Sequence, residues 1–242
     1  MNIMDININY IDYGKKDGKA LVLLHGWGQN IDMMKPIGDK LQKKYRVIII
    51  DLPGHGKSEE PKNVWTVYDY VLAINELLNK LEINNPTLIG HSFGGKIALV
   101  YTSKYTTEKL ICLASPFKKE IKKLSLKTKM LKTAKKIPIL NKLENFAKKN
   151  IGSTDYKQAC EMMRKILVET VNLDITEDVK KINTPTLLIW GTHDEAVNIE
   201  DAKELENLIP NSGLVIYEGA THYAYLERLN QTIKVLESFL GE

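Results

Sequence analysis

The sequence predicts an α/β fold on a mostly parallel sheet, and three observations predict it. Unbroken runs of β-branched residues and leucine, Val47 to Ile50 and Thr87 to Ile89, read as strands covered on both faces. Between them, Val67 to Leu81 carries apolar residues three and four positions apart, the period of an amphipathic helix. The alternation of strand and helix resumes after Pro185, as a parallel sheet with crossover helices requires.

In chain order, MNIMDININYIDYG alternates apolar and polar residues, and Leu21 to Leu24 is a short apolar run. The strand at Val47 and the helix from Val67 follow, then the strand at Thr87 and a helical run from Gly95 to Tyr105. Beyond Pro185 come a strand at Thr186 to Trp190, a helix at Ile199 to Leu208, a strand at Leu214 to Tyr217 and a final helix at Tyr225 to Leu240. The stretch between the halves differs in character. Residues 117 to 150 hold 12 lysines against 2 glutamates, so the basicity of the chain is concentrated there. Phe117, Ile121, Leu124, Met130, Leu131, Ala134 and Ile137 lie near helical spacing, and Pro138 interrupts before a second helical pattern. The expected organisation is a core of 1–115 and 182–242 with a lysine-rich helical insertion at 116–181.

The chain has 242 residues, 43% hydrophobic and 26% charged, enough for a sizeable core without disulfides. Cys112 and Cys160 stand far apart, which fits a reducing compartment with both thiols packed and inert. The amino terminus lacks the basic start and long apolar run of an export signal, and no stretch nears the ~18 residues of a membrane span. A cytoplasmic protein, not integral to a membrane, is expected. The basic insertion is read as a solvated surface rather than an anionic-membrane anchor, although weak binding to anionic surfaces fits its charge. It lacks the aromatic interleaving of nucleic-acid binders, so no nucleic-acid partner is expected.

Gly90-His91-Ser92-Phe93-Gly94 is a GxSxG pentapeptide between a strand and a helix. Small residues around the serine permit a sharp turn that lifts its hydroxyl clear of the sheet. A serine hydroxyl is a weak nucleophile and needs a base, which in turn needs an orienting group. Trp190-Gly191-Thr192-His193-Asp194 puts an acid at the end of a strand, where open α/β sheets build their sites, and Gly219-Ala220-Thr221-His222 puts a histidine after the last strand. Glu195 is a second carboxylate beside Asp194, but Asp194 holds the motif position.

These residues, with His25-Gly26-Trp27-Gly28 and Asp51-Leu52-Pro53-Gly54-His55-Gly56-Lys57-Ser58, resemble the α/β-hydrolase family across both halves of the chain. The resemblance implies an eight-stranded, mostly parallel sheet with a helical cap, matching the insertion. It implies Ser92 as nucleophile, His222 as general base and acid, Asp194 as orienting carboxylate, and an oxyanion hole from the backbone N–H groups of Trp27 and Phe93. It implies no cofactor and no metal. The chain departs from the common family pattern at Asn198 and near Asn230, where prolines are often found.

Other readings of the motifs fare worse. Gly54 to Ser58 ends like a phosphate-binding loop, but Asp51 stands where that loop needs its first glycine, so Asp51 is read as a hydrogen-bonding anchor. His25, His55, His91 and His193 show no metal-ligand spacing and are read as packing and loop hydrogen bonds. Met162, Met163, Trp65 and Tyr68 are read as cap or core packing. The reading is therefore a serine hydrolase of small or medium acyl esters. The alternatives are thioester, amide or carbon–carbon hydrolysis or acyl transfer on the same triad, or a low-turnover small-molecule receptor.

Overall fold

The computed structural model of the chain describes residues 1–119 and 159–241. Its main sheet holds β3 (Tyr10–Gly14), β4 (Ala20–Leu24), β5 (Arg46–Ile50), β6 (Thr87–His91), β7 (Lys109–Leu113), β8 (Thr186–Gly191) and β9 (Ser212–Tyr217). The order is β3-β5-β4-β6-β7-β8-β9, with β3 antiparallel to β5 and every other pairing parallel. Among the described residues this sheet has seven strands, not the eight that the family resemblance implied. The remaining pair, β1 (Asn2–Ile3) and β2 (Ile6–Asn7), closes on itself as a separate two-stranded hairpin. Met4 and Asp5 at its tip both have positive φ, the geometry of a tight hairpin turn, and Asn7 is then bonded to Glu59 rather than to the sheet.

The unbroken apolar runs are explained by two cores, one on each face. Val22, Leu24, Ile48, Ile50, Leu88 and Leu188 face α2 (Val67–Lys80) and α3 (Phe93–Lys104). Their neighbours Leu21, Leu23, Val47, Ile49, Ile89 and Ile189 face α1 (Ile31–Leu41) and the last helix. Successive side chains of a strand point to opposite faces, so both phases of the alternation must be apolar. In the main sheet only the two edge strands leave residues exposed, Gly14 at the end of β3 and Gly213 and Ile216 in β9.

The helix ends follow from local chemistry. Asn30 accepts the Asp32 N–H to start α1, and at the head of α2 the Asp69 carboxylate accepts both the backbone N–H and the hydroxyl of Thr66 at 2.7 Å. Asn198, where family members often have proline, caps α6 (Ile199–Leu208) through the Glu200 N–H. The expected final helix is two: α7 (Ala224–Glu227) and α8 (Leu229–Leu240) part at Arg228, whose ψ of 38° is not helical. Glu227, the last residue of α7, turns its carboxylate back onto Thr221 and ties that turn to the preceding loop.

Most of the 116–181 stretch, including the helical pattern from Ile121 to Ile137 and Pro138, lies outside the described residues. Its described end forms α4 (Glu161–Asn172) and α5 (Thr176–Val179). Both are tied to the core: Ile175 N–H donates to the Phe117 carbonyl, and the Tyr68 hydroxyl donates to Asp178 at 2.7 Å. Lys96 of α3 is 1% exposed, and its ammonium donates to the Thr170 and Leu173 carbonyls at the C-terminal end of α4. A cation there also meets the negative end of the helix dipole. Replacing Lys96 by Met, of similar length, is expected to lower stability by about 1–3 kcal/mol, because buried carbonyls lose a charged donor. Urea unfolding checks this; an unchanged midpoint would mean that Lys96 is not the tie.

No helix among the described residues is long and apolar enough to cross a membrane.

Candidate active site

The GxSxG segment makes the turn its composition requires. After the fully buried β6, Ser92 takes φ 50° and ψ −113°, and α3 begins at the next residue, two earlier than the helical run from Gly95 suggested. A non-glycine residue in that region costs about 1–3 kcal/mol and persists only when its surroundings hold it. Three backbone bonds hold it: Ser92 N–H to the Leu113 carbonyl at 2.9 Å, Gly94 N–H to the His25 carbonyl at 3.1 Å, and Lys96 N–H to the Ser92 carbonyl at 3.0 Å. The glycines are steric necessities. A Cβ on Gly94 would lie 2.4 Å from the Leu24 carbonyl oxygen, and one on Gly95 would collide with the Ser115 hydroxyl.

Asp194 follows the end of β8, and His222 lies in the loop after β9. His222 Nδ1 and Asp194 Oδ2 are 2.8 Å apart, and the Asp194 side chain is fully buried. The other Asp194 oxygen accepts the backbone N–H groups of Ala196 and Val197 at 2.8 and 2.9 Å. Glu195 is exposed. The histidine loop is braced by Thr192, whose hydroxyl accepts the Gly219 N–H, and by Glu227 on Thr221. His193, read as serving packing and loop hydrogen bonds, is exposed and does not pack, while its backbone N–H donates to the Ala220 carbonyl and braces the loop.

Trp27 and Phe93 stand face to edge with ring centroids 5.2 Å apart, and the Gly94-to-His25 bond holds their two loops side by side. His55 packs on Trp27 at 4.8 Å. Asp51 is the anchor that the sequence suggested. Its carboxylate accepts from Ile31 N–H, Asn9 and Lys57 N–H, binding the loop after β5 to the start of α1. A cavity of about 280 Å³ opens beside Trp27, lined also by Gly54, His55, Glu60, Cys160 and Met163. Met163 is a buried packing residue, as expected, and also a wall of this cavity. Cys112 is buried, and burial pushes its thiol up to about 12. Cys160 is exposed rather than packed, because it caps α4 and donates to the Glu60 carboxylate at 3.2 Å.

Two buried histidines act as the sequence suggested, through hydrogen bonds. His25 accepts the Leu52 N–H at 3.0 Å, and burial pulls it down to about 4; burial, with His222 nearby, pulls His91 down to about 3. Both rings are neutral in the folded protein while they protonate near 6.5 in the unfolded chain. Below pH 6.5 the unfolded state therefore binds more protons, so stability falls with acidification, by about 1.4 kcal/mol per histidine per pH unit down to roughly pH 4. Urea midpoints at pH 7, 6 and 5 check this; a flat series would contradict it.

Gln29 was not singled out in the sequence. It accepts the Gly26 N–H at 2.9 Å and donates to the Tyr223 hydroxyl at 3.2 Å, joining segments 194 residues apart. Nothing in local sequence signals such a contact.

The chain as a whole is similar to known proteins. The chain matches the model of the alpha/beta hydrolase fold family over residues 19–125 and 117–229. It is 28% identical to the pimeloyl-[acyl-carrier protein] methyl ester esterase of Aliivibrio fischeri, covering 93% of this chain and 95% of that one. It is 26% identical to mouse monoacylglycerol lipase ABHD6, over 92% and 75% of the two chains. An enol-lactonase from Burkholderia xenovorans superposes with a TM-score of 0.80 at 21% identity, over 100% of this chain and 99% of that one. An esterase from Exiguobacterium antarcticum gives 0.78 at 24%, over 100% and 98%. With the family model spanning both halves of the sheet and every motif loop, the chain belongs to the α/β-hydrolase fold family.

Proposed function

We propose that this protein is a serine hydrolase of small or medium acyl esters, working through an acyl-enzyme. The observation that carries the reading is the buried Asp194 carboxylate 2.8 Å from the half-buried His222 ring, in loops that follow C-terminal strand ends of the sheet, as does the serine held in a strained elbow. Curated relatives named as an ester esterase and a lipase support ester bonds as the target.

In this reading Ser92 Oγ attacks the ester carbonyl as His222 Nε2 takes its proton, while Asp194 holds the Nδ1–H tautomer. The tetrahedral oxyanion is met by the backbone N–H groups of Trp27 and Phe93, a pair of fixed donors whose loss individually costs ~10²–10³ in rate. His222 returns the proton to the leaving alcohol. Water then attacks the acyl-enzyme, with His222 again as base, and the acid leaves. The described end of the stretch read as a cap, at α4, supplies Cys160 and Met163 to the cavity wall beside Trp27.

A p-nitrophenyl ester series from acetate to long acyl chains tests this on the intact protein. Turnover with an optimum at short or medium chains is expected. No turnover across the series would shift the assignment to the other chemistries open to the same triad.

A further inference from the structure

We infer that His91 is a positioning residue for the histidine loop, donating its Nε2–H to the His222 backbone carbonyl and, with Gln29, linking that loop to the oxyanion-hole loop. The inference rests on the serine-hydrolase reading given above and adds to it a residue that sets the geometry of the base.

His91 immediately precedes Ser92 and is the last residue of β6. It is completely buried, and its Nε2 lies 3.1 Å from the His222 carbonyl oxygen. The ring packs at a tilt against three others, with centroids 4.8 Å from His222, 5.4 Å from Tyr223 and 4.8 Å from Tyr225, so it fills the space beside the base. On its other side Nδ1 lies 3.3 Å from Gln29 Oε1.

The tautomer follows from counting donors. A ring buried this deeply is neutral and has one N–H to give to two facing oxygens. Gln29 Oε1 already accepts the Gly26 N–H at 2.9 Å, whereas the His222 carbonyl is the nearer of the two to the ring. The proton therefore belongs on Nε2, and Nδ1 meets Gln29 Oε1 at 3.3 Å as a contact without a hydrogen bond. Gln29 completes the connection, since its amide donates to the hydroxyl of Tyr223, the residue after His222. One buried ring and one amide thus join the residue before Trp27, the residue before Ser92 and the loop that carries the base.

A base displaced by about 1 Å can cost ~10²-fold in rate, so a hydrogen bond that fixes its backbone should appear in kcat rather than in KM. Glutamine and asparagine separate the two nitrogens. The amide of His91→Gln reaches about as far as Nε2, while that of His91→Asn reaches only as far as Nδ1.

The experiment measures kcat and KM for p-nitrophenyl acetate, thermal midpoints, and ¹⁵N histidine NMR, on wild type, His91→Gln, His91→Asn and Ser92→Ala. His91→Gln is expected to keep kcat within about threefold. His91→Asn is expected to lose about 10- to 100-fold in kcat with KM little changed. In wild type, the His91 ring is expected to be neutral and protonated on Nε2 from pH 7 to pH 5. A folded His91→Asn with wild-type kcat, equal losses in both variants, or an Nδ1–H ring would each overturn the inference. If His91→Asn does not fold, the wild-type tautomer and His91→Gln decide. Absence of Ser92-dependent turnover in wild type would instead refute the serine-hydrolase reading, and the NMR result would still decide the His91 contact.

Discussion

Ser92→Ala is expected to lower ester turnover by at least ~10⁴-fold, because no other group can form the acyl-enzyme once the hydroxyl is gone. The variant should fold as wild type does, since alanine replaces a single oxygen and the elbow is held by backbone bonds from Ser92, Gly94 and Lys96. Ser92→Gly sharpens the test. It removes the same hydroxyl and also relieves the positive φ at this position, so it should be about 1 kcal/mol more stable than the alanine variant. A protein that gains stability as it loses activity would mark the elbow as strain retained for function. Kinetics with a p-nitrophenyl ester and urea unfolding of the three proteins decide the matter, and retained turnover in either variant would remove Ser92 from the mechanism.

Asp194→Asn carries the second large effect, ~10⁴-fold in kcat. The direction follows from the carboxylate's two sets of partners. One oxygen accepts the Ala196 and Val197 N–H groups, so the asparagine carbonyl must occupy that side and turn its NH₂ toward His222 Nδ1. An amide donor there requires a lone pair on Nδ1, which moves the ring proton to Nε2, the nitrogen that has to accept from Ser92. Glu195→Gln should stay within about twofold, because Glu195 is exposed and surface substitutions remote from such contacts have small effects. Side-by-side kcat measurements check the ranking. A larger loss at Glu195 would reassign the orienting acid.

The fold was legible because its signals are local. The runs at Val47 and Thr87 are apolar in both phases, which only a sheet covered on two faces demands, and the period of Val67 to Leu81 predicts α2 to within one residue of its end. The candidate site was legible for a similar reason. The turn at Ser92 needs glycines on both sides, and steric exclusion leaves a short-range mark in sequence. Less local features were misjudged. The strand count depended on whether the first residues pair with each other or with the sheet, and the break at Arg228 accompanies a side chain reaching back from Glu227 to Thr221. Cys160 looked like a packing residue until its place at the head of α4, beside Glu60, put it at the surface.

By itself, then, the sequence determined the α/β class and the positions of most strands and helices, which rest on periodicity, and the Ser92 candidate, which rests on the steric demands of a sharp turn; Asp194 and His222 came from their places after strands and from the family resemblance. Tertiary structure set Asp194, which its motif position had favoured over Glu195, against His222, and it alone decided that Lys96 ties α3 to α4 and that Gln29 and His91 meet the histidine loop. Those contacts join residues 28 to 194 positions apart. Hydrogen bonds of that span depend on how close the folded backbone brings two loops, a distance that no local pattern of residues encodes.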